Sequence, residues 1–253
     1  MSAVFPAYND ASSIEKLIRS AARLLLRLSD DFEIVVVDDG STDGTAELLK
    51  RLQRQYPSLK VIHHGVNRGY GAALITGFAN CSKDLVFYTD GDGQYDVSEL
   101  HELIEALDED VEMVTGYKIR RSDPGYRILT GRIYRDLVRI MFGLKVKDVD
   151  CDFRLFRRRI LDRIRLTCDS GVICVELIKK CRLRGYRIVE IPVHHYHRAF
   201  GQSQFFSPKH LSRVLIQLVV TWFKLVMNRQ QLSGPAVPEQ SYALQRELGE
   251  SGS

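Results

Sequence analysis

The chain has 253 residues, 45% hydrophobic and 27% charged, with 36 Lys and Arg against 32 Asp and Glu for a formal net charge of +4. That length can bury a full core in one domain, and so mild a charge, with no aromatic-and-basic RNA-binding signature, gives no sign of a nucleic-acid partner. Five cysteines without a CxxC pair exclude a disulfide framework and read as buried free thiols of a reducing compartment.

In chain order, Ala3–Phe5 is predicted as a short first strand. The opening Met1–Pro6 shows no leader pattern, and a strand this short also fits a trimmed N-terminus. Ser12–Leu28 carries Ile14, Leu17, Ile18, Ala21, Leu25 and Leu28 at helical spacing. Glu33–Val37 is a continuous apolar run, as expected of a central parallel strand covered on both faces. Helices over Thr45–Gln55, Tyr70–Asn80 and Ser98–Leu107 alternate with strands over Leu59–His63, Leu85–Thr89 and Val111–Thr115. This rhythm predicts an α/β fold: a doubly wound, mostly parallel, Rossmann-like sheet with helices on both faces.

The second half breaks the rhythm. A long basic amphipathic helix is predicted over Tyr126–Phe142, a short strand over Phe153–Phe156, and helices near Arg159–Ile164 and over Val172–Leu183. A strand over Tyr186–Pro192 and a helix over Ser207–Met227 follow. Within the last helix, Val214–Met227 holds eleven apolar residues in fourteen, with Lys209, His210 and Arg213 ahead of it and Trp222 and Phe223 inside it. A core helix and an interfacial helix with basic and aromatic anchors both fit that pattern. No run reaches the roughly 18 apolar residues that span a bilayer. The polar tail from Ser233 is expected to be disordered.

The chemistry concentrates where strands end. Leu85–Thr89 runs into Asp90-Gly91-Asp92-Gly93-Gln94. In an open α/β sheet ligands bind past the carboxyl ends of strands, and Asp-x-Asp there makes a small, hard, anionic site suited to Mg²⁺ or Mn²⁺ shared with substrate phosphates. The plainer reading is a strand-to-helix turn, with Asp96 capping the next helix. Pro6-Ala7-Tyr8-Asn9-Asp10 follows the first strand, and Asp38-Asp39-Gly40-Ser41-Thr42-Asp43 follows the second. Two adjacent carboxylates at a strand end are costly unless something binds them, and they suit ribose hydroxyls and base N–H groups. Asn67-Arg68-Gly69-Tyr70-Gly71 offers small residues and helix N-terminal N–H groups that favour phosphate. It is not a dinucleotide fingerprint, because Leu74 stands where the last glycine would fall.

These four motifs, in this order and spacing, resemble the inverting GT-A glycosyltransferases of family two, and within them the polyprenyl-phosphate sugar synthases of the dolichol-phosphate mannose synthase type. The likeness runs over roughly residues 3–228. It implies that Pro6, Tyr8, Asp10 and Asp38 hold the nucleotide and that Asp39 sits near ribose or base, with Arg68 and Gly69 beside them. The family usually has glutamate at the place of Asp10. The resemblance puts Asp90 at the sugar diphosphate and Asp92 and Gln94 on the metal, with Asp90 completing the metal set. On the acceptor side it implies that Arg120 or Arg121, with Arg132 or Arg135 on the following helix, binds a lipid phosphate, and that Arg198 in a loop with Gly201, Ser203 and Gln204 reaches the diphosphate. His194, His195 and His197 fit an exposed polar loop better than zinc, having no partner at ligand spacing.

The implied activity is metal-dependent, inverting transfer of a hexose from GDP-mannose or UDP-glucose to a polyprenyl or dolichyl phosphate. The implied organisation is a GT-A domain over residues 1–206, an amphipathic helix over 207–230 and a tail over 231–253. The implied setting is the cytoplasmic face of a membrane, held peripherally or through membrane subunits. Two other readings stay open: transfer to a hydroxyl with Asp148, Asp150 or Asp152 as base, and a non-catalytic nucleotide-sugar-binding subunit.

Overall fold

A computed structural model describes residues 1–119, 125–197 and 208–228. Seven strands, β1 (Ser2–Ala7), β2 (Glu33–Asp38), β3 (Leu59–His63), β4 (Leu85–Thr89), β5 (Met113–Lys118), β6 (Phe153–Arg157) and β7 (Ile188–Val193), form one sheet ordered β3-β2-β1-β4-β6-β5-β7. β1 to β4 run parallel, and β5 pairs in parallel with β7. β6 is inserted antiparallel to both β4 and β5. Seven α-helices accompany them: α1 (Ile14–Leu28), α2 (Thr45–Gln55), α3 (Tyr70–Ala79), α4 (Leu100–Glu105), α5 (Gly125–Phe142), α6 (Val172–Leu183) and α7 (Pro208–Trp222).

The continuous apolar runs of the first strands are explained by cover on both faces. Successive side chains of a strand point to opposite sides. Val4, Val35, Val86 and Tyr88 accordingly join one core with Leu74 and Phe78 of α3 and the buried faces of α5, α6 and α7. Ala3, Phe5, Ile34, Val36 and Phe87 join the other, with α1, α2 and α4. All five cysteines are free and buried.

Several boundaries differ from the periodicity. The helix expected over Ser98–Leu107 is a 3₁₀ turn, Val97–Glu99, followed by α4. Asp96 starts it, its side chain accepting from the Ser98 N–H at 2.9 Å. The helix expected near Arg159–Ile164 is a 3₁₀ turn over Arg158–Ile160. β7 begins two residues late because α6 closes through Gly185 at φ 76, with Tyr186 N–H donating to the Cys181 carbonyl and Gly185 N–H to that of Arg182. That pair of bonds consumes the C-terminal carbonyls of α6 and holds Tyr186 out of the strand. The expected helix to Met227 changes at Trp222 to a π-helical turn over Phe223–Met227.

Phe87 is fully buried, with its ring edge-on to Phe5 at 6.4 Å and Phe153 at 4.9 Å. Phe87→Ala is expected to cost about 3–5 kcal/mol, read as a lower urea midpoint at unchanged slope.

Candidate active site

β1 lies between β2 and β4, and all three run parallel, so their carboxyl ends share one edge. Asn9, in the left-handed region at φ 57, holds that edge together. Asparagine tolerates this conformation better than most residues. Its N–H donates to Ser41 Oγ at 2.9 Å and its Oδ1 accepts from Thr42 N–H at 2.8 Å. Asp10 N–H donates to Thr45 Oγ1 at 3.1 Å, and Ser13 Oγ donates to the Gly91 carbonyl at 2.8 Å. The loops after β1, β2 and β4 are thereby one knitted rim. Pro6 is buried in β1, and the Asp10 carboxylate accepts from Tyr8 N–H at 3.0 Å.

The adjacent carboxylates Asp38 and Asp39 are both buried, and each has its own histidine. Asp38 accepts from Ser41 N–H at 3.0 Å and from His63 Nδ1 at 2.9 Å. Asp39 accepts from His64 Nδ1 at 2.7 Å, Arg68 N–H at 2.9 Å and Gly69 N–H at 2.8 Å. A carboxylate taking several N–H donors is fixed in place by them. Asp39 therefore shapes the turn that carries Arg68 and Gly69, while the Arg68 side chain is exposed.

That turn is clamped from its other side. Gly71 N–H donates to the Asp169 carbonyl at 2.9 Å. A Cβ on Gly69 would press on the Asp169 carbonyl and one on Gly71 on those of Cys168 and Ser170, so both positions require glycine. Residues 168–170 are held by α7: Asp169 by Arg213 and Gln217, Ser170 Oγ by Gln217 Oε1 at 2.6 Å, and Cys168 Sγ by Thr221 Oγ1 at 3.2 Å.

Asp90 follows β4 directly. Its Oδ1 accepts from the Tyr70 hydroxyl at 2.7 Å. Burial, then the Asp152 and Asp92 carboxylates, push the Asp90 carboxyl well above its ordinary range, against the opposing pull of Tyr70 and Lys118. Burial, with Asp152 and Asp90, raises the Tyr70 phenol too, so it is a neutral donor at physiological pH. Asp92 accepts from Gln94 N–H at 3.0 Å, and Gln94 Nε2 donates to the Tyr196 carbonyl at 2.9 Å. Among the described residues no three His, Cys, Asp or Glu side chains gather as a closed metal cage. A site for Mg²⁺ needs only one or two carboxylates, the rest coming from substrate phosphates and water. The crowding of Asp90 by the Asp152 and Asp92 carboxylates fits that open kind of site.

At the end of β5, Lys118 donates to the Asp150 carbonyl at 2.9 Å. Burial works against its charge, but Asp148, Asp152 and Asp150 outweigh it and raise the ammonium pKa. Arg154 is fully buried, donating to Tyr88 Oη at 2.5 Å, Thr115 Oγ1 at 3.0 Å and the Val149 carbonyl. Arg135 pairs with Asp136 at 3.1 Å. Arg120, Arg121, Arg198, Gly201, Ser203 and Gln204 lie outside the described residues, as do the Arg132 side chain and the tail. His194 pairs with Glu99 at 2.7 Å, and His195 bridges to Tyr95, so the strand end after β7 runs beside Gln94 and Tyr95.

The structure thus brings together Pro6, Tyr8, Asp10, Asp38, Asp39, Asp90, Asp92 and Gln94 along one rim. Sequence reasoning missed Tyr70, His63 and His64. Their signal was weak: a tyrosine opening a helix and two histidines closing a strand, all at the same sheet edge.

Residues 2–165 match the family Glycosyl transferase family 2. The chain is 33% identical over 207 residues to an undecaprenyl-phosphate 4-deoxy-4-formamido-L-arabinose transferase of Salmonella choleraesuis, covering 81% of this chain and 62% of that one. It is 31% identical, with the same coverage, to the transferase of that name from Enterobacter sp.. The chain therefore spans less than two thirds of the length of these relatives. Among solved structures it is similar to glucosyl-3-phosphoglycerate synthase of Mycobacterium tuberculosis. The complex with Mn²⁺, UDP and phosphoglyceric acid superposes with TM-score 0.66 at 21% identity, covering 88% of this chain and 77% of that one. The complex with Mg²⁺ and UDP gives 0.64 at 21% identity, covering 88% and 78%. At that identity the likeness establishes the GT-A fold.

Asp39→Ala would leave His64 and two backbone N–H groups without their acceptor. Unfolding measured by heat or urea is expected to show a loss of about 2–4 kcal/mol.

Proposed function

The chain belongs to glycosyl transferase family 2, and from that premise we propose that it transfers a hexose, with inversion, from a nucleotide diphosphate sugar to a polyprenyl phosphate at a membrane surface. The observation that carries the reading is the shared rim. Carboxylates suited to a nucleoside (Asp10, Asp38) stand beside carboxylates crowded enough to attract a cation (Asp90, Asp92, with Asp152 behind them). The acceptor class is supported by relatives named for transfer to undecaprenyl phosphate.

In this reading Asp38, with Tyr8 and Asp10, takes the nucleoside, and the N–H groups opening α3 meet the diphosphate. Asp92, Gln94 and Asp90 hold Mg²⁺ or Mn²⁺, and the Oε1 of Gln94 is the ligating atom because its Nε2 is given to Tyr196. The ion, when bound, offsets charge gathering on the departing diphosphate. The attacking oxygen belongs to a phosphate already ionised near neutral pH, so no strong general base is needed and positioning with electrostatics carries the rate. Arg120 or Arg121, with Arg132 or Arg135, grips the acceptor phosphate, and Arg198 reaches the diphosphate from the loop after β7.

An exposed apolar surface supports the membrane setting. Ile216, Val219 and Phe223 of the α7 region and Ile133 and Ile140 of α5 are 57–82% exposed. The two helices are joined where Trp222 Nε1 donates to the Met141 carbonyl at 2.7 Å. Among the described residues no helix is long and apolar enough to cross a membrane. A surface of this kind, edged by Arg139 and Lys224, suits an anionic lipid interface.

The test is incubation with Mg²⁺ or Mn²⁺, a short polyprenyl phosphate and a donor panel containing GDP-mannose, UDP-glucose and nucleotide-linked 4-deoxy-4-formamido-L-arabinose. Mass spectrometry is expected to find a glycolipid with one hexose donor, lost on adding EDTA; product from the arabinose derivative alone, a pentose, would keep the lipid-phosphate acceptor and overturn the hexose. Asp92→Asn is expected to lower turnover at least 100-fold, by about the two to three decades that a charge-stabilising group commands, while circular dichroism stays unchanged. Slow release of nucleoside diphosphate with no glycolipid from any donor would instead move the acceptor away from lipid phosphate.

A further inference from the structure

Asp90 has a difficult task in the reading above. It ends β4, is followed by glycine, and is repelled by Asp92 and Asp152. Left alone, a carboxylate so placed turns away from its neighbours, because like charges a few ångströms apart repel strongly in a partly desolvated site. One described side chain restrains it by a hydrogen bond: the Tyr70 hydroxyl, 2.7 Å from Oδ1.

The anchor itself is rigid. Tyr70 is the first residue of α3, and its ring packs against the larger core. The residue before it is tied to Asp39 through Gly69 N–H, and the residue after it to Asp169 through Gly71 N–H. Both backbone bonds are 2.8–2.9 Å long, so the phenol is aimed from a fixed turn. The chemistry of the donor matters equally. A lysine here would orient Asp90 and also bring a positive charge into the site. A phenol orients it without adding a charge.

We infer that Tyr70 is a positioning residue for the donor site: its hydroxyl fixes Asp90 Oδ1, so that Oδ2 is presented to the divalent cation and the diphosphate. The inference rests on the metal-dependent reading of this site; Tyr70 falls within the Asn67–Gly71 motif, but the sequence gives its phenol no role there. Tyr70 does not touch the reacting atoms; it acts through Asp90.

The 253-residue chain is titrated with Mn²⁺ in the presence of UDP or GDP, with free Mn²⁺ read by electron paramagnetic resonance. Tyr70→Phe is expected to keep the wild-type unfolding midpoint within a few degrees. Its half-saturating Mn²⁺ concentration should rise about tenfold, and kcat should fall about tenfold while KM for the donor changes by less than about threefold, as expected for loss of one bond to a charged group. In an Asp90→Asn background the tyrosine substitution should have no further effect on Mn²⁺ affinity. Wild-type Mn²⁺ affinity in Tyr70→Phe, or an equal loss in both backgrounds, overturns the inference and leaves Tyr70 a packing residue. A wild-type chain that binds no Mn²⁺ with either nucleotide overturns the metal reading itself, and this role with it.

Discussion

The architecture turns on one buried guanidinium. Arg154 sits on β6, the strand inserted against the direction of its neighbours, and it bonds to Tyr88 of β4, Thr115 of β5 and the carbonyl of Val149. A buried cation is tolerated only when its donors are satisfied and its charge is answered. Arg154 finds oxygen partners on three segments, and the Asp152 carboxylate lies within its field. The same residue that joins the two parallel halves of the sheet therefore fixes the aspartate-rich segment behind Asp90. Removing it would leave carboxylates and hydroxyls packed around an empty space of the wrong polarity.

Electrostatic crowding is answered differently at the ends of β2 and β4. Asp39 receives a histidine and two backbone N–H groups and shapes the turn that opens α3, while Asp38 takes one histidine and one N–H. Asp90 has the Tyr70 hydroxyl and is crowded by burial and by the Asp152 and Asp92 carboxylates. The contrast sets a carboxylate that shapes a turn, Asp39, apart from one crowded by like charges, Asp90. Such prearranged groups cost little reorganisation when substrate binds.

Much of this was legible in the sequence, for definable reasons. Apolar runs bounded by Asp and Gly mark parallel strands well, and the spans of α2, β3, β4 and α6 agree with the periodicity to the residue. The grouping of Asp10, Asp38, Asp90 and Asp92 follows from strand direction alone. What escaped was contact made in three dimensions. Nothing in Val-Ile-His-His announces that both histidines turn toward consecutive aspartates. Nothing in Asn-Arg-Gly-Tyr-Gly says that the tyrosine reaches Asp90, because that reach depends on how α3 lies across β1 and β2. Boundaries were misjudged where a local bond overrode periodicity, as at the start of β7, which the turn through Gly185 delays by two residues.

The strap over residues 168–170 has a consequence for how the protein can be divided. The family match ends at residue 165, yet the backbone that closes over Gly69 and Gly71 begins just after it and is itself held by Arg213, Gln217 and Thr221. A chimaera that borrowed only the matched segment would inherit every aspartate of the rim and lose the strap over the turn at Gly69 and Gly71. The smallest portable unit of this fold therefore reaches to the end of α7.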